Sequence, residues 1–191
     1  MKKRKRFLDI ILASLFLLLA LPIMAIVALA IKIDSPGPIF YYYRGSRRRL
    51  PVYRIGKNGK PFRYFKFRTM VHDPANPQRE EITQVGHFIR CWHLDELPEL
   101  IIVLSGKMSL VGPRPFTKKM AQKHPPTYHE TLVVTPGITG LAQISGARLF
   151  SPEQTVETNL QYIKNWRLGN DLVILLKTPV AILEQCNKFP H

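Results

Sequence analysis

From Ile10 to Ile31 the chain carries 22 residues without a charge, and basic residues crowd both ends of that run. Lys2, Lys3, Arg4, Lys5 and Arg6 precede it; Lys32, Arg44, Arg47, Arg48, Arg49 and Arg54 follow. About 20 apolar residues suffice to cross a hydrocarbon core. Basic flanks resist translocation, so each end prefers the cytoplasmic side. A straight span cannot satisfy both ends. Pro22, near the midpoint, lacks an N–H and clashes with the carbonyl four residues back, so it bends or breaks a helix. Residues 7–33 therefore read as a re-entrant membrane helix hairpin. On this reading residues 1–40 are the basic N-terminus and membrane element, and residues 41–191 a cytoplasmic domain on the membrane surface. A single-pass anchor, a secretory signal peptide ending near Ala28-Leu29-Ala30 and a buried core helix are the alternatives. The run is longer than a signal peptide's usual apolar region of 7–15 residues, and its length and polarity contrast disfavour a buried core helix.

Outside the membrane element about 155 residues remain, enough for one domain with its own core. The chain has 28 Lys plus Arg against 13 Asp plus Glu, a formal net charge of +15, which suits anionic partners. For a membrane-anchored chain the nearest anions are lipid phosphates. Cys91 and Cys186 are too few and too distant in sequence to imply a disulfide framework, as befits a reducing cytosol.

The pattern predicts an α/β-type, helix-dominated domain with interfacial helices and a short β-hairpin. Asp34-Ser35-Pro36-Gly37-Pro38 is a turn-rich exit from the membrane element. Tyr41, Tyr42 and Tyr43 beside several arginines suit head-group depth. Val52–Ile55 and Pro61–Phe67 flank Gly56-Lys57-Asn58-Gly59, where Asn-Gly supplies the positive φ angles of a tight turn. Residues 71–83 read as a loop. Helices are expected over 85–90, 94–104 and 116–132 (interrupted at Pro125-Pro126), then over 152–166 and 171–186. In the second of these Leu97, Leu100, Ile101 and Leu104 would form the buried stripe. Residues 135–144 read as a loop or strand. The last helix is apolar but too short to span, so it packs on the domain or lies in the interface.

Asp95-Glu96 followed by Pro98 is the foremost chemical signal. Proline is tolerated in a helix's first turn, which would place both carboxylates at a helix N-terminus. Unsatisfied N–H groups there favour anions and phosphates. A plain helix cap explains the same residues. Gly112-Pro113-Arg114-Pro115 holds an arginine in rigid, extended backbone, where its guanidinium can fork onto phosphate; a solvated surface loop is the alternative. Lys66, Arg68 and Arg90 offer further cations. Pro136-Gly137-Ile138-Thr139-Gly140 reads as a tight turn whose backbone could approach a ligand. The six histidines form no His-Glu-x-x-His pattern, and there is no Walker loop, dinucleotide fingerprint or serine nucleophile elbow.

Together these pieces resemble the bacterial sugar transferases, the monotopic polyprenyl-phosphate glycosyl-1-phosphate transferases, in a minimal form. The resemblance is carried by Lys5-Arg6-Phe7-Leu8-Asp9, Asp34–Phe40, Phe65–Met70, Leu94–Leu100, Met108–Pro115 and Pro136–Gln143. It implies transfer of a sugar 1-phosphate from a UDP-sugar to undecaprenyl phosphate with release of UMP. Such transfer would initiate a bacterial glycan assembly pathway (exopolysaccharide, O-antigen or glycoprotein glycan). It implies Mg2+, held by Asp95 and Glu96, and catalysis by the same pair through an aspartyl-phosphosugar intermediate. Lys66, Arg68, Arg90 and Arg114 become candidate phosphate-binding residues. The implied location is the bacterial inner membrane, the domain on its cytoplasmic face among membrane lipids, with no nucleic-acid partner. Several positions depart from the family pattern. Leu21 replaces the usual Ser before Pro22, residues 41–52 resemble an insertion, and Lys107 replaces a common Asp. Ala147 stands where an Arg is frequent and Asn159 where an Asp is common. Those last two changes imply reduced activity or an altered choice of donor. The alternative to an enzyme is a catalytically weak, family-derived membrane scaffold that binds lipid phosphate or pathway partners. A membrane-anchored nucleic-acid binder rests on charge alone.

Overall fold

The computed structural model describes residues 3–41, 51–73, 75, 81–122, 126–146 and 150–188. The arginine-rich stretch 42–50, with Tyr42 and Tyr43, and Ala147 lie outside the described residues.

The apolar run and its basic prelude form one helix, α1 (Lys3–Asp34). Pro22 lies inside it, so the structure draws a single element where the sequence predicts two arms. Among the described residues α1 is the one helix long and apolar enough to cross a membrane. Its buried residues, Lys5, Asp9, Ala13, Ala20, Val27 and Ile31, recur every four or seven positions and so share one stripe. The opposite face exposes Phe7, Leu18, Leu19, Leu21, Ile26, Leu29 and Ile33.

Both ends of α1 are tied to the domain. At the first, Lys5 Nζ lies 2.5 Å from Asp171 Oδ2, and Asp171 also accepts from Tyr162 Oη and Trp166 Nε1. Asp9 accepts from Ser109 Oγ at 2.9 Å and from Leu110 N–H at 3.1 Å. Arg6 donates to the carbonyls of Val103 and Leu104. At the second end, Asp34 Oδ2 accepts from Val85 N–H at 3.4 Å. There Arg68 donates to the carbonyls of Ser35 and Pro36, just past the helix, and to that of Ile31 in its last turn, so its guanidinium closes the helix end.

The hairpin forms as its turn chemistry predicts. Strands β1 (Val52–Ile55) and β2 (Pro61–Tyr64) pair antiparallel, Val52 opposite Tyr64, with Asn58 at φ 56° and Gly59 at φ 73° in the turn. Alternation turns Phe62 and Tyr64 inward. Helix α2 (Gln84–Cys91) starts on Thr83, whose Oγ1 accepts from Gly86 N–H. The expected helix over 94–104 divides into a 3-10 turn, Leu94–Glu96, and α3 (Glu99–Leu104). Its buried stripe is Leu100, Ile102 and Val103; Ile101 is exposed, contrary to the sequence reading.

Strand β3 (Ser109–Val111) pairs parallel with β4 (Gly137–Thr139), in register Ser109 to Gly137. Gly112 N–H donates to Thr139 O, and Gly137 N–H to Pro113 O, both at 2.9 Å. A Cβ on Gly137 would lie 2.1 Å from Gly112 N. The glycines at 137 and 140 therefore admit the chain's own backbone, which fixes the Gly112–Pro115 segment. Among the described residues, 116–132 give a short α4 (Lys118–Ala121) and a 3-10 stretch, Pro126–Val133, in place of one longer helix. The remaining helices are α5 (Leu141–Ile144), α6 (Pro152–Lys164) and α7 (Leu168–Lys188). A full capping box on Ser151 and Gln154 opens α6.

The main core joins Ala13 and Ala20 of α1 to Phe62, Tyr64, Leu100, Val103, Met108, Leu110, Val111, Tyr162 and Ile174. A second cluster sets Val27 and Ile31 against Phe67 and Ile89. Each fully buried Val, Leu, Ile, Phe or Met among them stabilises the fold by roughly 1.5–3 kcal/mol and each alanine by less; α1 contributes to both clusters. One expectation is overturned. Cys91 at the end of α2 and Cys186 in α7 form a disulfide, with Cα atoms 4.9 Å apart. Their distance in sequence says nothing about their distance in space.

Candidate active site

The site is assembled where the chain leaving β2 meets the turn at Leu94–Glu96. Phe67 N–H donates to Asp95 O at 2.9 Å, which registers the two segments. It brings Lys66 Nζ within 2.6 Å of Asp95 Oδ2. From the other side, the segment after β3 brings Arg114 Nη2 to 2.5 Å from Glu96 Oε1. His93 Nδ1 lies 3.6 Å from Glu96 Oε2. Asp95 and Glu96 are both buried, at 4% and 7% exposure, while the Arg114 side chain remains 41% exposed. Two adjacent carboxylates thus each have their own cation, and Arg114 is accessible to a ligand.

Glu99, one turn on, completes the cluster. It is 2% exposed and accepts from Tyr64 Oη at 2.5 Å. The Arg54 guanidinium lies over the Tyr64 ring, 4.7 Å from its centre. Burial disfavours the charge on Glu99 and the neighbouring Glu96 adds to this, pushing its pKa up to about 8. Burial also opposes charge on Glu96, but Arg114 and His93 outweigh it and hold that carboxyl well below the usual range. Near neutral pH the pair divides: Glu96 is ionised and Glu99 mostly keeps its proton.

Of the residues singled out from sequence, the structure brings Lys66, Asp95, Glu96 and Arg114 together. Arg68 does not join them, since its guanidinium is turned to the carbonyls closing α1. Arg90 donates from Nε to Thr69 Oγ1 at 2.7 Å. Asn159 is fully buried on α6, about one turn after Val156. Asp95 and Glu96 precede α3 by a separate turn, with Pro98 at its cap position, so they do not occupy its first turn. Sequence reasoning missed Tyr64, His93 and Glu99. The signal for Glu99 was its place three and four residues after the acidic pair, heading an otherwise apolar helix.

Adjacent carboxylates, each set against a cation and open on the Arg114 side, form a charged site that a polar ligand can reach. Comparison with known proteins gives the family. The bacterial sugar transferase family model matches residues 1–185, and the chain belongs to that family. It is 39% identical over 193 residues to a UDP-glucose:undecaprenyl-phosphate glucose-1-phosphate transferase of Escherichia coli K12, covering 91% of this chain and 39% of that protein. It is 38% identical to the protein of the same name from Caulobacter vibrioides, covering 97% and 72% respectively. Identity is 36% to an undecaprenyl-phosphate galactose phosphotransferase of Salmonella typhimurium, over 95% of this chain and 40% of that one. The chain thus spans well under half the length of two of these relatives.

Proposed function

We propose that the chain transfers a sugar 1-phosphate from a UDP-sugar to undecaprenyl phosphate and releases UMP, through a covalent intermediate on Asp95. The observation that carries this is the buried Asp95-Glu96 pair, each member set against its own cation. An Asp95 oxygen attacks the sugar-linked phosphorus, the oxygen–phosphorus bond forms, and the bond to UMP breaks with its electron pair leaving on UMP. The lipid phosphate then attacks the same phosphorus and frees Asp95. Splitting one displacement into two lowers each barrier. Lys66 orients Asp95. Arg114 spreads across to the donor's phosphates and offsets their charge, the dominant contribution in phosphoryl transfer.

Mg2+ fits this donor set. The ion takes hard oxygen ligands, commonly one or two carboxylates together with substrate phosphates. Asp95 and Glu96 would supply the carboxylates, although among the described residues no three His, Cys, Asp or Glu side chains form a cluster that could hold a metal ion. Bound there, the metal would neutralise phosphate charge.

The same reading places the domain on the cytoplasmic face of the bacterial inner membrane, with α1 re-entrant and bent at Pro22. Support comes from both ends of α1 being held by one domain, through Asp171 and Ser109 at one end and Arg68 at the other. A straight span would send one end to the far side. Single cysteines introduced as Lys2→Cys and Phe40→Cys should both be labelled from the cytoplasm, and labelling from opposite sides would defeat the arrangement. For the reaction, purified protein in detergent should release UMP only with UDP-sugar donor, Mg2+ and polyprenyl phosphate together. No turnover across a panel of UDP-sugars would leave the scaffold alternative.

A further inference from the structure

His93 occupies a position where a helix ordinarily ends on glycine. After α2, His93 N–H closes onto Arg90 O at 3.2 Å, with φ 53° and ψ 23°. This left-handed conformation comes readily to Gly and tolerably to Asn, but it crowds the Cβ of other L residues. The other non-glycine residue with positive φ among those described is Asn58, in the hairpin turn. His93 carries a second cost: its Nε2 is buried and has no hydrogen-bond partner among the described residues. Set against both costs is a contact with Glu96, on the oxygen that Arg114 does not hold. The spacing is fixed locally, since Glu96 N–H donates to His93 O at 3.2 Å.

We propose that His93 is a positioning residue whose imidazole holds the second oxygen of Glu96 while Arg114 holds the first. The carboxylate plane is then locked beside Asp95. Without the imidazole, Arg114 would be the one remaining side chain of this pair of contacts to hold the Glu96 carboxylate. Nδ1 faces Glu96 Oε2 at 3.6 Å, beyond hydrogen-bond length, so the ring acts by occupying that side of the carboxylate. This inference rests on the phosphosugar-transfer reading and adds to it a residue that touches neither reacting phosphorus nor leaving group. Backbone strain kept at a functional site is the general pattern it follows.

The test uses His93→Gly and His93→Asn in the full chain, both of which ease the backbone and remove the ring. The Tm should stay level or rise while kcat falls about 10–100-fold, with KM for the UDP-sugar changing by less than about threefold. Wild-type kcat in both variants would overturn the proposal. So would a parallel loss of Tm and kcat, which marks a purely structural role. A stability cycle with Glu96→Gln separates this inference from the activity itself, because it needs no turnover. The gain in Tm from His93→Gly should be larger in the Glu96→Gln background, where the contact between the ring and a carboxylate is already gone. Equal gains in both backgrounds would overturn the positioning role even if wild-type protein releases UMP, and a larger gain would sustain the contact even if it releases none.

Discussion

Asp95→Asn is expected to reduce UMP release by about 10⁴-fold or more, the scale seen when a nucleophile is removed from a site whose members act as a unit. The substitution keeps the shape of the side chain and one oxygen for Lys66, whose amine lies 2.6 Å from Asp95 Oδ2. Lys66 is partly solvated, so the loss of charge should cost only about 1 kcal/mol of stability. Membrane extraction and the unfolding transition should therefore be close to wild type. Turnover and folding separate in this variant if Asp95 forms the bond to phosphorus. Were Asp95 only a structural contact of Lys66, the two would change together or hardly at all.

Arg114→Ala is expected to show a different signature, with both activity and stability reduced. Glu96, 7% exposed, would keep a buried negative charge without its closest cation. Leaving a buried ionic group without its partner costs about 1–3 kcal/mol or more, here at the lower end because Arg114 itself is partly open to solvent. Loss of one charge-stabilising donor at a phosphoryl centre lowers kcat by about 10²–10³-fold. Arg114→Lys should restore most of the stability but little of the rate, because an ammonium cannot fork between a carboxylate and a phosphate. Assays of kcat/KM and thermal unfolding on the two variants check both expectations. An Arg114→Ala protein with unaltered rate would remove the guanidinium from the site.

What the sequence disclosed follows from how local each signal is. The hairpin was readable because Asn58 and Gly59 carry their own backbone preference, and alternation then sets Phe62 and Tyr64 inward. Helices α2, α6 and α7 fall close to their expected spans for the same reason: caps and periodicity are local. The stretch from Leu94 to Leu104 was read only in part. Pro98 lacks the N–H that a continuous helix needs, so a 3-10 turn precedes α3 and shifts the phase of the buried face. That shift puts Ile102 inside and Ile101 outside.

The site was legible as a pair of carboxylates and a set of unassigned cations. Which cation meets which carboxylate is decided by tertiary contacts, the Phe67–Asp95 main-chain bond for Lys66 and the β3–β4 pairing for Arg114. Arg68 lies two residues from Lys66, but its N–H bonds Ile39 O at 2.8 Å, and its guanidinium meets the end of α1. No local pattern distinguishes the two. The Cys91–Cys186 disulfide and the Glu99–Tyr64 bond were hidden for the same reason, joining residues far apart in sequence.

The central claim is that Asp95 carries the sugar phosphate between donor and lipid. Purified protein incubated with UDP-sugar and Mg2+ but without lipid acceptor, then quenched in acid and digested, gives the peptide that contains residue 95. Mass analysis should find it heavier by one sugar phosphate, with the increment on Asp95, and lose that increment when polyprenyl phosphate is added before the quench. An unmodified Asp95 peptide from protein that nonetheless turns over, or the same increment on Glu96, would contradict the account.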